Sequence, residues 1–167
     1  MCSDSYTLRL SNVANTDNGD LVRLSTNKDE YTVRIPNDLR AKGKCKLSVN
    51  SVHIQTKNGT GTDIIPNNSH TALIVADGLN LLGYNNESGN NNVLCEMSID
   101  SNKNDIRLDG VSSPTFTCPE LPAEITIKKR VYDPASPFLP IPMDAFTNDV
   151  VPCIVVLQLQ FYEDMKD

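Results

Sequence analysis

The sequence predicts an all-β protein, a single domain folded as an antiparallel two-sheet sandwich of about eight to ten short strands. Three observations lead there. Apolar and polar residues alternate with a period of two along most of the chain, the mark of half-buried strands. The intervening stretches carry Asn, Gly, Pro and Asp, the residues that turns require. Aromatics are only 5% of the 167 residues and Trp is absent, so Val, Ile and Leu must fill the core. A chain of this length reads as one domain over residues 1–167, able to bury roughly 70% of the surface its unfolded form exposes.

Taken in order, "SYTLRL" sets Tyr6, Leu8 and Leu10 on one face. A weaker strand follows at Leu21 to Leu24, and "EYTVRI" aligns Tyr31, Val33 and Ile35. "PNDLRAKG" is briefly helical, with Asn or Asp near a capping position. "KCKLSV" turns Cys45, Leu47 and Val49 inward, and then the phase slips, because Val52 and Ile54 continue on the opposite parity. Such a slip implies a β-bulge or a strand passing from one sheet to the other. Ala72 to Ala76 is a weak strand; "VLCEMSI" places Val93, Cys95, Met97 and Ile99 together. Ile106 to Leu108 and Thr115 to Cys118 are short and weak, and "EITI" opens a longer run, "EITIKKRVY", through Ile125 and Ile127. "PMDAFTND" is a second brief helical segment. The final strand, Val151 to Phe161, is the clearest: Val155, Leu157, Leu159 and Phe161 face one way, Gln158, Gln160 and Tyr162 the other. Its length and clean alternation assign it to the inside of a sheet. No period of roughly 20–50 residues repeats, which argues against a solenoid or propeller.

Charge and cysteine usage narrow the function classes. A formal charge of −6 disfavours a chain whose main task is to hold nucleic acid phosphates, so no direct nucleic acid contact is expected. The opening "MCSDSYTLRL" lacks the basic and apolar regions of a secretion signal, and no stretch has the ~18–20 apolar residues of a membrane span. An unexported, soluble chain is the expectation. Five cysteines (Cys2, Cys45, Cys95, Cys118 and Cys153) are an odd number, and Cys45, Cys95 and Cys153 share a phase with core aliphatics. Reduced, buried thiols fit better than a disulfide framework. Asn58, Asn67 and Asn86 match the glycosylation pattern, within Asn-rich loops that match it readily by chance.

Nothing in the chain points to catalysis or to a cofactor. The two histidines, His53 between Val52 and Ile54 on a predicted strand and His70 after "PNNS" in a loop, are accompanied by no GxSxG, HExxH or CxxC motif. "DSNKNDIRLDG", from Asp100 to Gly110, alternates oxygen donors but lacks the glycine and terminal glutamate offsets of a calcium loop, so it reads as a polar turn.

Two features remain for interaction. Arg40, Lys42, Lys44 and Lys46 share one parity, so in an extended run the lysines form a basic stripe opposite Cys45 and Leu47. The plain reading is a solvated face that discourages edge pairing; the functional one is contact with an acidic neighbour or polyanion. The acidic end, Glu163, Asp164 and Asp167, is its natural complement among identical chains. "DPASPFLPIP" sets Pro134, Pro137, Pro140 and Pro142 among Phe138, Leu139 and Ile141, an extended and largely unpaired strap. With Phe146 beyond it, this strap either plugs the sandwich's own open end or presses on another subunit at low entropy cost.

The order of parts, from "RIP" and "KCKLSVNSVHI" through the Asn-rich middle to the Pro-rich loop and "PCIVVLQLQFYED", resembles the single jelly-roll penton and minor capsid proteins of large icosahedral double-stranded DNA viruses. The resemblance covers the whole chain as a pattern and carries no functional residue with it. It implies a jelly-roll sandwich, a structural role in the virion without catalysis, assembly in the host cytoplasm, and major and other minor capsid proteins as partners. It also implies association of identical chains, a pentamer among the forms. A lectin-like or receptor-binding recognition module would instead use the Asn-rich loops, which offer only Tyr84 for stacking on sugars. A cupin-like enzyme would need a cluster of histidines.

Overall fold

The computed structural model describes residues 5–12, 23–26, 30–57, 60–62, 65, 69–79, 93–99, 105–109, 115–133, 136–143 and 151–162. Its elements in chain order are β1 (Ser5–Ser11), β2 (Arg23–Thr26), β3 (Glu30–Arg34), a one-turn helix α1 (Asn37–Arg40), β4 (Cys45–Gln55) and β5 (Thr71–Asp77). They continue with β6 (Val93–Ser98), β7 (Asp105–Asp109), β8 (Thr115–Cys118), β9 (Glu124–Asp133), β10 (Ser136–Pro142) and β11 (Cys153–Phe161).

The strand pairs are nested. First pairs with last, β1 with β11; then β3 with β9, β4 with β7 and β8, and β5 with β6, all antiparallel. Successive pairs fall alternately in a five-stranded and a six-stranded sheet. A long two-stranded ribbon rolled over itself gives this arrangement, which is the jelly-roll form of the antiparallel sandwich. Two short strands share one long edge in each sheet. β8 lies opposite Cys45 to Ser48 and β7 opposite Ser51 to Gln55 along β4. β3 lies opposite Glu124 to Lys128 and β10 beyond Arg130 along β9.

The alternation read from the sequence is the burial pattern of the fold. In β11, Cys153, Val155, Leu157, Leu159 and Phe161 are buried, with β1 on one side and β4 on the other, so the strand is internal as expected. The phase slip in β4 is a bulge. Val156 faces Ser51 and Leu157 faces Val49, which leaves Asn50 as the extra residue, and both halves stay in the same sheet. β5 departs from alternation because both its faces are covered: Ala72, Ile74 and Ala76 join the common core, while Leu73 and Val75 are buried outside it.

Two local expectations are corrected. α1 occupies the first helical segment, but Pro36 is its N-cap and no side chain caps it; Asn37 instead accepts a bond from Arg40 Nη1 at 3.3 Å. Proline's fixed φ suits the helix entrance and displaces the expected Asn or Asp cap. The Pro-rich stretch, expected to be extended and largely unpaired, is extended but joins the edge of β9 at its ends: Ser136 lies opposite Asp133, Ile141 opposite Val131 and Pro142 opposite Arg130, with the register broken between Ser136 and Ile141. An edge position tolerates the missing proline donors. Residues 144–149, the second helical segment beyond Met143, lie outside the described residues.

Gly78 closes β5 at φ +100, and a Cβ there would stand 2.7 Å from the Glu124 carbonyl oxygen. Both the left-handed backbone and the contact oppose any side chain. Gly78→Ala is therefore expected to lower stability by about 1–3 kcal/mol, read as a lower urea midpoint at unchanged m-value.

Candidate interaction surfaces

The stripe begins at the turn after α1 and runs onto β4. Lys44 and Lys46 alternate with buried Cys45 and Leu47 and stand exposed on the outer face of the five-stranded sheet. Beside them is Tyr162, just past β11, whose amide donates to the Lys44 carbonyl at 3.2 Å. Tyr162, 42% accessible, is the exposed large hydrophobic residue among the described residues. Lys44 Nζ sits 5.3 Å and Lys46 Nζ 6.0 Å from its ring centroid. Lys42, in the turn before β4, reaches over Tyr6 instead, at 5.1 Å, while Tyr6 packs edge-on against Phe161. Aromatic faces attract ammonium groups, so the stripe is a set of lysines held on two ring platforms rather than loose side chains. The sequence signal for this was Tyr162's outward parity; that a ring would meet the lysines depends on the pairing of β11 with β4.

The outer face continues as a ladder of hydroxyl and amide groups. Ser5, Gln160, Lys46 and Thr117 form one cross-sheet row, and Thr7, Gln158, Ser48 and Thr115 the next. Thr7 donates to Gln158 Oε1 at 3.1 Å, and Gln158 Nε2 donates to Ser5. Such a face presents both donors and acceptors to a partner surface.

The strap lies elsewhere. α1 links the end of β3 to the start of β4, so the β9 residues paired with Arg34 lie at the stripe's end of the sandwich, and β10, paired beyond Arg130, lies at the other. The nine residues of β11 separate the two ends by about 27 Å. The fold thus does not bring Phe138, Leu139 and Ile141 together with Lys42, Lys44 and Lys46. Ile141 is half-buried and packs against the protein's own core, and Met143 after it is fully buried. The side chains of Phe138 and Leu139, and all of Phe146, lie outside the described residues, as do Asn58, Asn67, Asn86, Tyr84, Cys2 and the acidic Glu163, Asp164 and Asp167.

At the strap's end is a group the sequence reading passed over. Lys129 is fully buried, on the inward face of β9 between Ile127 and Val131, and its Nζ donates to the Val151 carbonyl at 2.8 Å. Asn12 Nδ2 donates to the same carbonyl at 2.9 Å, and Asn12 Oδ1 accepts from the Cys153 amide at 2.8 Å. Tyr31, also fully buried, donates to the Leu10 carbonyl at 2.9 Å. These bonds tie β9 and β3 of one sheet to β1 and the start of β11 in the other, satisfying backbone groups that close to the sandwich's end would otherwise be buried unmade.

The histidines are apart. His53 points outward from β4, and exposed His70 hydrogen-bonds Thr71 Oγ1 at 3.0 Å and stacks on Tyr132. Asp105 to Asp109, within the stretch read as a polar turn, forms β7 against β4. Among the described residues no three His, Cys, Asp or Glu gather as a metal-holding group, and no helix is long and apolar enough to cross a membrane. Comparison with known protein families and with curated proteins gave no match.

Proposed function

We propose that this protein is a structural shell component, a single jelly-roll capsid protein of the penton or minor capsid type that acts by holding neighbouring subunits together. The observation that carries the reading is the pair of separate surfaces on one rolled sandwich: a lysine and tyrosine face on the five-stranded sheet, and a proline-stiffened edge strand at the opposite end of the six-stranded one. A subunit with contacts at opposite ends can bridge two neighbours, which a shell requires of its parts. The interior of aliphatic side chains and nested strand pairs gives such a subunit rigidity, so little order must be imposed on docking. Partners are copies of this chain and other capsid proteins, met in the host cytoplasm where assembly takes place.

The lysine face sets association rate and geometry, whereas the strap supplies apolar anchors. A Lys44→Glu, Lys46→Glu variant should fold and melt as the parent does, since both side chains are exposed. It should associate at least about tenfold more slowly, and salt should no longer weaken association as it does for the parent. Phe138→Ala should fold and yet fail to enter particles. Normal assembly rates for both variants, in a stopped-flow light-scattering and particle-incorporation assay, would place the contacts on other surfaces.

A further inference from the structure

The geometry points to a cross-strand dithiol–disulfide site at Cys45 and Cys118, reduced as the chain folds and closed by an oxidant of the peroxide class. This site is independent of the shell reading. Cys45 on β4 and Cys118 on β8 are directly opposed in register, and both are fully buried on the inward face. Opposed residues of an antiparallel pair have Cα atoms about 4.5 or 5.5 Å apart, and both values fall within the range a disulfide spans. Cys118 Sγ donates to the Glu120 carbonyl at 3.3 Å.

Access comes from the strand that carries Cys118. β8 has four residues, pairs with β4 alone among the described strands, and ends at Cys118, after which Pro119 and Glu120 are exposed. A short marginal strand of this kind opens locally at far lower cost than the whole fold. Cys153 opens the internal strand β11, and Cys95, on the edge strand β6, faces Ile74 rather than a second cysteine, with burial pushing its thiol up to about 12.

Cys118, at the end of the short strand that opens, is the first of the two to meet an oxidant. The neighbouring Cys45 lowers the Cys118 thiol, against the opposing effect of burial, and Cys118 raises Cys45, which agrees with that order. Cys118 thiolate therefore attacks a peroxide oxygen: an S–O bond forms, the O–O bond breaks, and hydroxide leaves to take up a proton as water. Cys45 sulfur then attacks the Cys118 sulfenic sulfur. The S–S bond forms, the S–O bond breaks, and the departing hydroxide takes the Cys45 proton as a second water. Two thiols lose two electrons and one hydrogen peroxide becomes two waters. The bond fastens β8 to β4 directly beneath Lys44 and Lys46, stiffening the base of the lysine and tyrosine face.

The test uses the full chain and hydrogen peroxide, followed by non-reducing peptide mapping and thermal unfolding. One cross-linked peptide joining Cys45 to Cys118 is expected, with loss of the mass of two hydrogens. The melting temperature should rise by about 5–15 °C, reversed by dithiothreitol. In Cys45→Ser the sulfenic acid should be trapped by dimedone on Cys118, and the double variant Cys95→Ser, Cys153→Ser should still cross-link. The site is overturned if the folded protein gives no Cys45–Cys118 peptide, if that peptide forms only in denaturant, or if dimedone marks other cysteines in Cys45→Ser.

Discussion

Leu157→Asp is expected to leave no folded protein. Leu157 has no accessible surface and lies mid-strand in β11, with Leu8 of β1 on one side and Val49 of β4 on the other. Losing that burial removes roughly 1.5–3 kcal/mol. Placing a carboxylate among Leu8, Val49 and the facing sheet adds a desolvation cost of several kcal/mol more. A domain of this size holds only about 5–15 kcal/mol in reserve. The variant should be recovered as aggregate or as a soluble chain without a cooperative melt; an unchanged melting temperature would mean that β11 does not run through the core.

Lys129→Glu is expected to have an effect of the same order, by a different route. The ammonium group is fully buried between the sheets and donates to the Val151 carbonyl, so reversing its charge sets a carboxylate against a carbonyl oxygen with no solvent between them. Lys129→Ala is milder, leaving a cavity on the inward face where the buried four-carbon stem stood, in register with Ile74, at a cost of roughly 2–4 kcal/mol. Circular dichroism and urea unfolding of the two variants separate these outcomes. A Lys129→Glu protein with the parent's midpoint would show that the side chain points to solvent.

The contrast between these two positions explains what the sequence could and could not reveal. Leu157 was legible because period-two alternation is a local property, and the same property exposed the bulge at Asn50 through a change of parity. Lys129 shares its phase with Ile125, Ile127 and Val131, so the pattern does mark it as inward; the general rule that lysines face water hid it. β5 was weak in the sequence because a strand covered on both faces loses its alternation. The lysine stripe was legible as a stripe, but its tyrosine platforms and the opposition of Cys45 to Cys118 depend on which strands become neighbours. So does the distance between stripe and strap. Pairings between residues more than a hundred positions apart, such as Tyr6 with Leu159, leave no trace in local pattern. The strap's pairing was missed for a related reason: four prolines argue against a central strand, and nothing local distinguishes a free segment from an edge strand.

The most direct test of a neighbour-holding role is the native mass of the purified chain, measured by sedimentation over a wide range of concentration at low and high salt. Discrete multiples of 18.4 kDa that accumulate with concentration and recede as salt screens the lysine face are expected. A single 18.4 kDa species at every concentration and salt would contradict it.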